Sequence, residues 1–136
     1  MRELVLDAWG LVEWLENRRP AADRMQLLLE AADRGECGLF INVVNLGEVF
    51  YVSAKRRGMD YGRQVLQTLR SRLTTISASD ELVMLAAMLK ARHRISYADG
   101  FAAATAILQQ APLVTGDPEF RAMAASEKSL VLDWIG

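Results

Sequence analysis

Four acids, Asp7, Glu48, Asp99 and Asp117, stand out because each follows or borders a short apolar run at the point where a strand gives way to a helix or turn. Asp7 closes the run Glu3-Leu4-Val5-Leu6. Glu48 falls in the first turn of a helix after the run from Leu39 to Val44. Asp99 opens an alanine-rich helix, and Asp117 lies two residues beyond Leu113-Val114-Thr115. Carboxylates brought together repel one another and take up protons unless a cation compensates, so a cluster of this kind is suited to a hard divalent ion held by oxygen. Magnesium or manganese fits. The chain has one cysteine and one histidine, Cys37 and His93, so neither an internal disulfide nor a zinc site of Cys and His ligands is open to it.

Each acid also has a plainer use. Asn45-x-x-Glu48 and Ser96-x-x-Asp99 have the spacing of a capping box, in which the acid only satisfies a backbone N–H. Asp7 reads equally as an ordinary strand-end acid, and Asp117 in Gly116-Asp117-Pro118 as a turn former. These uses do not explain why all four fall at one edge of the sheet that the rest of the sequence predicts.

That sheet follows from periodicity. The run ending at Asp7 is a strand, and Leu11, Val12, Trp14 and Leu15 give a first helix. Pro20 starts a second helix with Met25, Leu28, Leu29 and Ala32 on one face and a stop near Gly35. Leu39 to Val44 is a buried strand. Asn45 caps a third helix through Leu46, Val49, Phe50 and Ala54, with Lys55, Arg56 and Arg57 in its last turn and Gly58 as its stop. Asp60 opens a fourth helix through Val65, Leu66 and Leu69, Leu73 to Ile76 is a strand, and Ser79 caps a fifth helix. A sixth helix runs from about Ala98 to Leu108. Leu113 to Thr115 is a strand, Glu119 to Ala125 a short helix and Leu130 to Ile135 the last strand. Strands alternating with helices predict an α/β fold, a mostly parallel sheet covered on both faces, whose ligands bind at the carboxyl ends of the strands.

The chain of 136 residues is the size of one domain, and no low-complexity segment, repeat or linker divides residues 1–136. No apolar run reaches the ~20 residues a membrane span needs, and Met1-Arg2-Glu3 does not open a signal peptide, so a cytoplasmic protein is expected. The net charge of −1 excludes a bulk electrostatic nucleic-acid binder. Any such contact has to be local, and Lys55-Arg56-Arg57 with Arg63, Arg70 and Arg72 is one candidate region; Lys90, Arg92, His93 and Arg94 form another. Basic residues in a last helical turn also simply complement the helix dipole.

The motifs resemble those of PIN-domain ribonucleases and, among them, the VapC toxins of bacterial toxin–antitoxin pairs. The resemblance spans the chain: Leu4-Val5-Leu6-Asp7, Asn42-Val43-Val44-Asn45-Leu46-Gly47-Glu48-Val49, Ile95-Ser96-Tyr97-Ala98-Asp99-Gly100-Phe101 and Leu113-Val114-Thr115-Gly116-Asp117-Pro118-Glu119-Phe120. It implies a five-stranded parallel sheet and an endoribonuclease that uses Mg²⁺ or Mn²⁺, with Asp7 and Asp99 as principal metal ligands, Glu48 and Asp117 completing the site and Thr115 as a helper. It also implies a homodimer restrained by a small cognate antitoxin. One position departs from the pattern: Ala8 stands where such proteins often carry Ser or Thr. That departure is the one feature favouring an alternative, a PIN-like domain that binds RNA or a partner without cleaving. A receiver or phosphohydrolase on a similar sheet is disfavoured, because Asp7-Ala8-Trp9 offers no second acid beside the first.

Overall fold

Alternation along the first strand decides how the layers form. In a computed structural model describing residues 1–136, strand β1 (Arg2–Leu6) turns Leu4 and Leu6 to one face of the sheet and Val5 to the other. Leu4 and Leu6 join Leu39 and Ile41 of β2 (Cys37–Asn42) beneath helices α1 (Ala8–Leu15), α2 (Ala21–Asp33), α3 (Val43–Arg57) and α4 (Met59–Arg72). Val5 joins Leu113 of β4 (Leu113–Thr115) against α5 (Asp80–Arg92), α6 (Tyr97–Gln109) and α7 (Glu119–Ser126). With β3 (Thr74–Ile76) and β5 (Leu132–Trp134), the strands form one five-stranded parallel sheet in the order β3-β2-β1-β4-β5. Both faces are covered, as the near-continuous apolar strands require.

Strand order reverses beside β1: the chain leaves it toward β2 and β3, then returns on its other side as β4. The following loops diverge there and open a crevice at the carboxyl ends of β1 and β4. Asp7 directly follows β1, and Asp117 follows β4 by two residues.

The α5–α6 pair sets the position of Asp99. Ala86 of α5 and Ala102, Ala103 and Ala106 of α6 are buried, and a Cβ placed on Gly100 would lie 3.0 Å from the Ala86 carbonyl oxygen. Small side chains thus let α6 approach closely, with Ser96 Oγ accepting the Asp99 N–H at 3.1 Å to cap it. Phe120 of α7 is fully buried in the same layer, next to the Asp117 turn. Phe120→Ala is expected to cost about 3–5 kcal/mol, measured as a lower urea midpoint at unchanged m-value.

Several predicted boundaries move. The second strand ends at Asn42, not Val44, and the cap of α3 is Asn42 rather than Asn45: Asn42 Oδ1 accepts the Val44 N–H at 2.9 Å. Asn45 is buried inside the helix and its Nδ2 donates to the Ala98 carbonyl at 2.9 Å, tying α3 to the start of α6. Asn45-x-x-Glu48 is therefore not a capping box, and Glu48 lies in the second helical turn rather than the first. The last strand is also shorter than predicted, pairing with β4 only over Leu132–Trp134, with buried Leu130 and Ile135 flanking it. No helix is long and apolar enough to cross a membrane.

Candidate metal centre

Asp7 has two structural bonds and a carboxyl group that is almost wholly buried, at 2% exposure. As the cap of α1, its Oδ1 accepts the Gly10 N–H at 3.3 Å. Its Oδ2 accepts the Thr115 hydroxyl at 2.6 Å, and the Thr115 oxygen in turn accepts the Asp117 N–H at 3.1 Å. Thr115 thus links the two strand-end acids, donating its one proton and accepting on a lone pair. Burial outweighs these bonds and pushes Asp7 up from its ordinary 3.8 to about 7, with the charges of Asp117 and Glu48 adding to the rise.

Asp99, Asp117 and Glu119 form the tightest group, with one carboxylate oxygen from each within 4.8 Å of the others. Burial again comes first among the causes raising Asp99 to about 7, followed by the Asp117 charge and the adjacent Glu119 carboxyl. Glu48 is raised by burial and by Asp117. Asp117 Oδ1 accepts the Glu119 N–H at 3.1 Å, a local turn that holds the two acids on one side of the Gly116-Asp117-Pro118 bend. Gly116 is needed here: a Cβ would lie 2.4 Å from the Trp9 ring and 2.7 Å from the Gly136 Cα.

Glu48, Asp99 and Asp117 line one cleft of about 240 Å³, together with Ala8, Trp9, Val12, Glu13, Arg18, Val52 and Arg56. Asp7 is buried and does not line the cleft, but its charge adds to the rise of Asp99. All four acids singled out in the sequence thus meet at one edge of the sheet. Glu119 was missed. Its signal is its position two residues after Asp117, where it reads as an ordinary first-turn acid of α7.

The donor set fits a hard divalent cation. The oxygens are carboxylate, those of Asp99, Asp117 and Glu119 sit within a few ångströms of one another, and burial together with the neighbouring carboxylates raises Asp7 and Asp99 to about 7, a cost that a cation would relieve. Thr115→Val removes the hydroxyl that lowers the Asp7 pKa, so in metal-free protein that pKa is expected above 7. A carboxyl NMR titration reads the change, and a value at or below that of wild type would contradict it.

The basic residues divide. Arg56 lines the cleft, with its Nη1 2.9 Å from Glu16 Oε1. Arg57 also pairs with Glu16, at 3.2 Å, but lies over the Tyr61 ring, and Lys55 is exposed outside the cleft. The two guanidiniums hold Glu16 below its usual range. In the second predicted cluster, Lys90 donates to the Ile95 carbonyl while Arg92 and His93 pair with Glu127, so three of its four members serve the α5 end.

No curated protein sequence matches the chain. Solved structures share its fold. VapBC2 from Rickettsia felis, bound to a DNA fragment from their promoter, is 21% identical over 96% of this chain and 97% of that one, with a TM-score of 0.72. VapBC-5 from Mycobacterium tuberculosis, a member of the VapBC family of toxin–antitoxin systems, is 18% identical over 99% and 100%, with a TM-score of 0.65. VapC20 from the same organism, a sarcin–ricin loop cleaving toxin, is 17% identical over 88% and 94%, with a TM-score of 0.70. The PIN domain family itself matches residues 4–126, which include every acid of the cleft. The parallel sheet, the acids at its switch point and this match lead to one assignment: the chain belongs to the PIN-domain family.

Proposed function

We propose that this protein is a metal-dependent endoribonuclease and the toxin of a toxin–antitoxin pair. The observation that carries the nuclease reading is the convergence of Asp7, Glu48, Asp99, Asp117 and Glu119 on one crevice, with Asp7 and Asp99 both raised to about 7 by burial and by the neighbouring carboxylates. Asp99 and Asp117 would hold Mg²⁺ or Mn²⁺ with Asp7, and Glu48 and Glu119 would complete the set directly or through water. When bound, the ion supplies a lowered water pKa near neutrality and charge relief for the phosphate oxygens.

The chain's own residues position and tune that chemistry. Thr115 keeps the Asp7 carboxylate oriented and partly offsets its burial. Val12, Val52 and Trp9 provide an apolar cleft wall, which strengthens the electrostatic interactions within it. The non-cleaving alternative rested on Ala8. Asp7 already has a bond to each oxygen, from Gly10 and Thr115, so a hydroxyl at Ala8 is not required to orient it.

RNA as substrate and an antitoxin as partner are supported by the structural likeness to a sarcin–ricin loop cleaving toxin and to toxin–antitoxin proteins. A cytoplasmic homodimer accords with this role, and exposed Met84 and Met88, one turn apart on α5, offer it an apolar face. The test is purified, antitoxin-free protein given single-stranded RNA and DNA of the same sequence with Mg²⁺ or Mn²⁺. RNA should be cut and DNA spared; equal cutting of both would overturn the ribonuclease reading. A small gene just upstream encoding a DNA-binding protein would support the toxin role.

A further inference from the structure

An acidic cleft must accept a polyanion, and the charge that permits this lies on the wall formed by α1, its following turn and α3. Arg18 and Arg56 come from segments far apart in sequence and line the same cleft as Glu48, Asp99 and Asp117. Each is held by a carboxylate beneath it. Arg18 Nη1 lies 2.8 Å from Glu13 Oε1, and Arg56 Nη1 lies 2.9 Å from Glu16 Oε1. The exposures differ in one sense: the Arg18 and Arg56 side chains are 48% and 43% exposed, whereas Glu13 and Glu16 are 15% and 21% exposed.

The bonding leaves these guanidiniums available. Each commits a single nitrogen to its carboxylate, so the rest of a planar fork with five N–H donors stays free. Arg34 is a contrast, gripping Glu36 through both Nε and Nη2. Exposed ion pairs of this kind contribute little to stability, so stability alone is a weak reason for two of them to border one cleft.

We propose that Arg18 and Arg56 form a two-armed seat for RNA backbone phosphate, held ready by Glu13 and Glu16, in the same cleft as the acids. This rests on the ribonuclease reading and extends it from the reacting site to the substrate's backbone. The fork matches the phosphate oxygens, and the free N–H donors of the two guanidiniums give an incoming strand a charge-assisted contact within a cleft also lined by Glu48, Asp99 and Asp117. Arg18 lies outside both basic clusters of the sequence and is identified only by the fold, which places the turn after α1 beside α3.

The test measures binding of a labelled single-stranded RNA in EDTA, where metal-dependent cleavage cannot deplete it, across a salt series. Arg18→Ala and Arg56→Ala should each weaken binding by about 10-fold. Each should also flatten the slope of log K against log salt by about 0.7. Arg72→Ala, which removes the same charge from an ion pair with Asp33 at the opposite edge of the sheet, should change neither. Melting temperatures close to wild type would show that the variants remain folded. If Arg18→Ala or Arg56→Ala binds RNA with the affinity and salt slope of Arg72→Ala, the seat is overturned. If wild type binds RNA through these arginines yet fails to cut it with Mn²⁺, the seat stands and the nuclease reading falls.

Discussion

Asp99→Asn should lower RNA cleavage by at least about 100-fold, and Asp7→Asn by a similar factor, while both proteins remain folded. Substitutions one shell out from a metal commonly cost about 10–100-fold, and removal of a direct carboxylate ligand costs no less. Asn keeps the shape of Asp and loses its charge. It is also an effective helix cap, so the Asp7 bond to Gly10 can persist and the loss is specific to the site. Steady-state cleavage of a short RNA at saturating Mn²⁺ reads the effect, alongside far-UV circular dichroism as a folding control. Unchanged cleavage in both variants would remove Asp7 and Asp99 from the machinery.

The second large effect is a coupling of stability, pH and metal. In unfolded chains Asp7 and Asp99 return to ordinary pKa values near 3.8, whereas in the fold both stand at about 7. Between these values the native state holds more protons than the unfolded state, so metal-free stability falls as pH rises from about 4 to 7. Asp7→Asn removes one of the two groups. The metal-free variant should therefore melt higher than wild type at pH 8, with the difference shrinking as pH falls and vanishing only below about pH 4, where Asp7 is protonated in both the folded and the unfolded chain.

A divalent ion reverses the penalty by balancing the charge. At 100 times its dissociation constant, Mn²⁺ stabilises by about 2.7 kcal/mol, which for a chain of this size is roughly a 10 °C rise in melting temperature. The rise should appear at pH 8 and nearly vanish at pH 5, where protons compete for the same oxygens. Equal rises at both pH values would mean that the ion binds away from Asp7 and Asp99.

The sequence revealed the architecture more readily than the junctions. Alternation in Leu4-Val5-Leu6, the caps at Ser79 and Ser96 and the stop at Gly58 are local signals, and each lies where it was expected. The β2–α3 junction failed because Val43 and Val44 are β-branched and apolar and continue the strand pattern, although the helix has already begun there. Asn45 looked like a cap because its actual partner, the Ala98 carbonyl, is 53 residues away. Arg18 and Glu119 escaped notice for the same reason. Each looks ordinary among its neighbours in sequence, and its meaning depends on what the topology sets beside it. The acids could be found because position at strand ends is itself a sequence property.

The central claim, that these carboxylates hold a divalent ion needed to cut RNA, is tested most directly by removing the metal and restoring it. Wild-type protein stripped with EDTA and dialysed should leave a single-stranded RNA intact at pH 7.5 and cut it once Mn²⁺ or Mg²⁺ is added. Cleavage that persists in EDTA, or an RNA that stays whole when the metal is returned, would contradict the account.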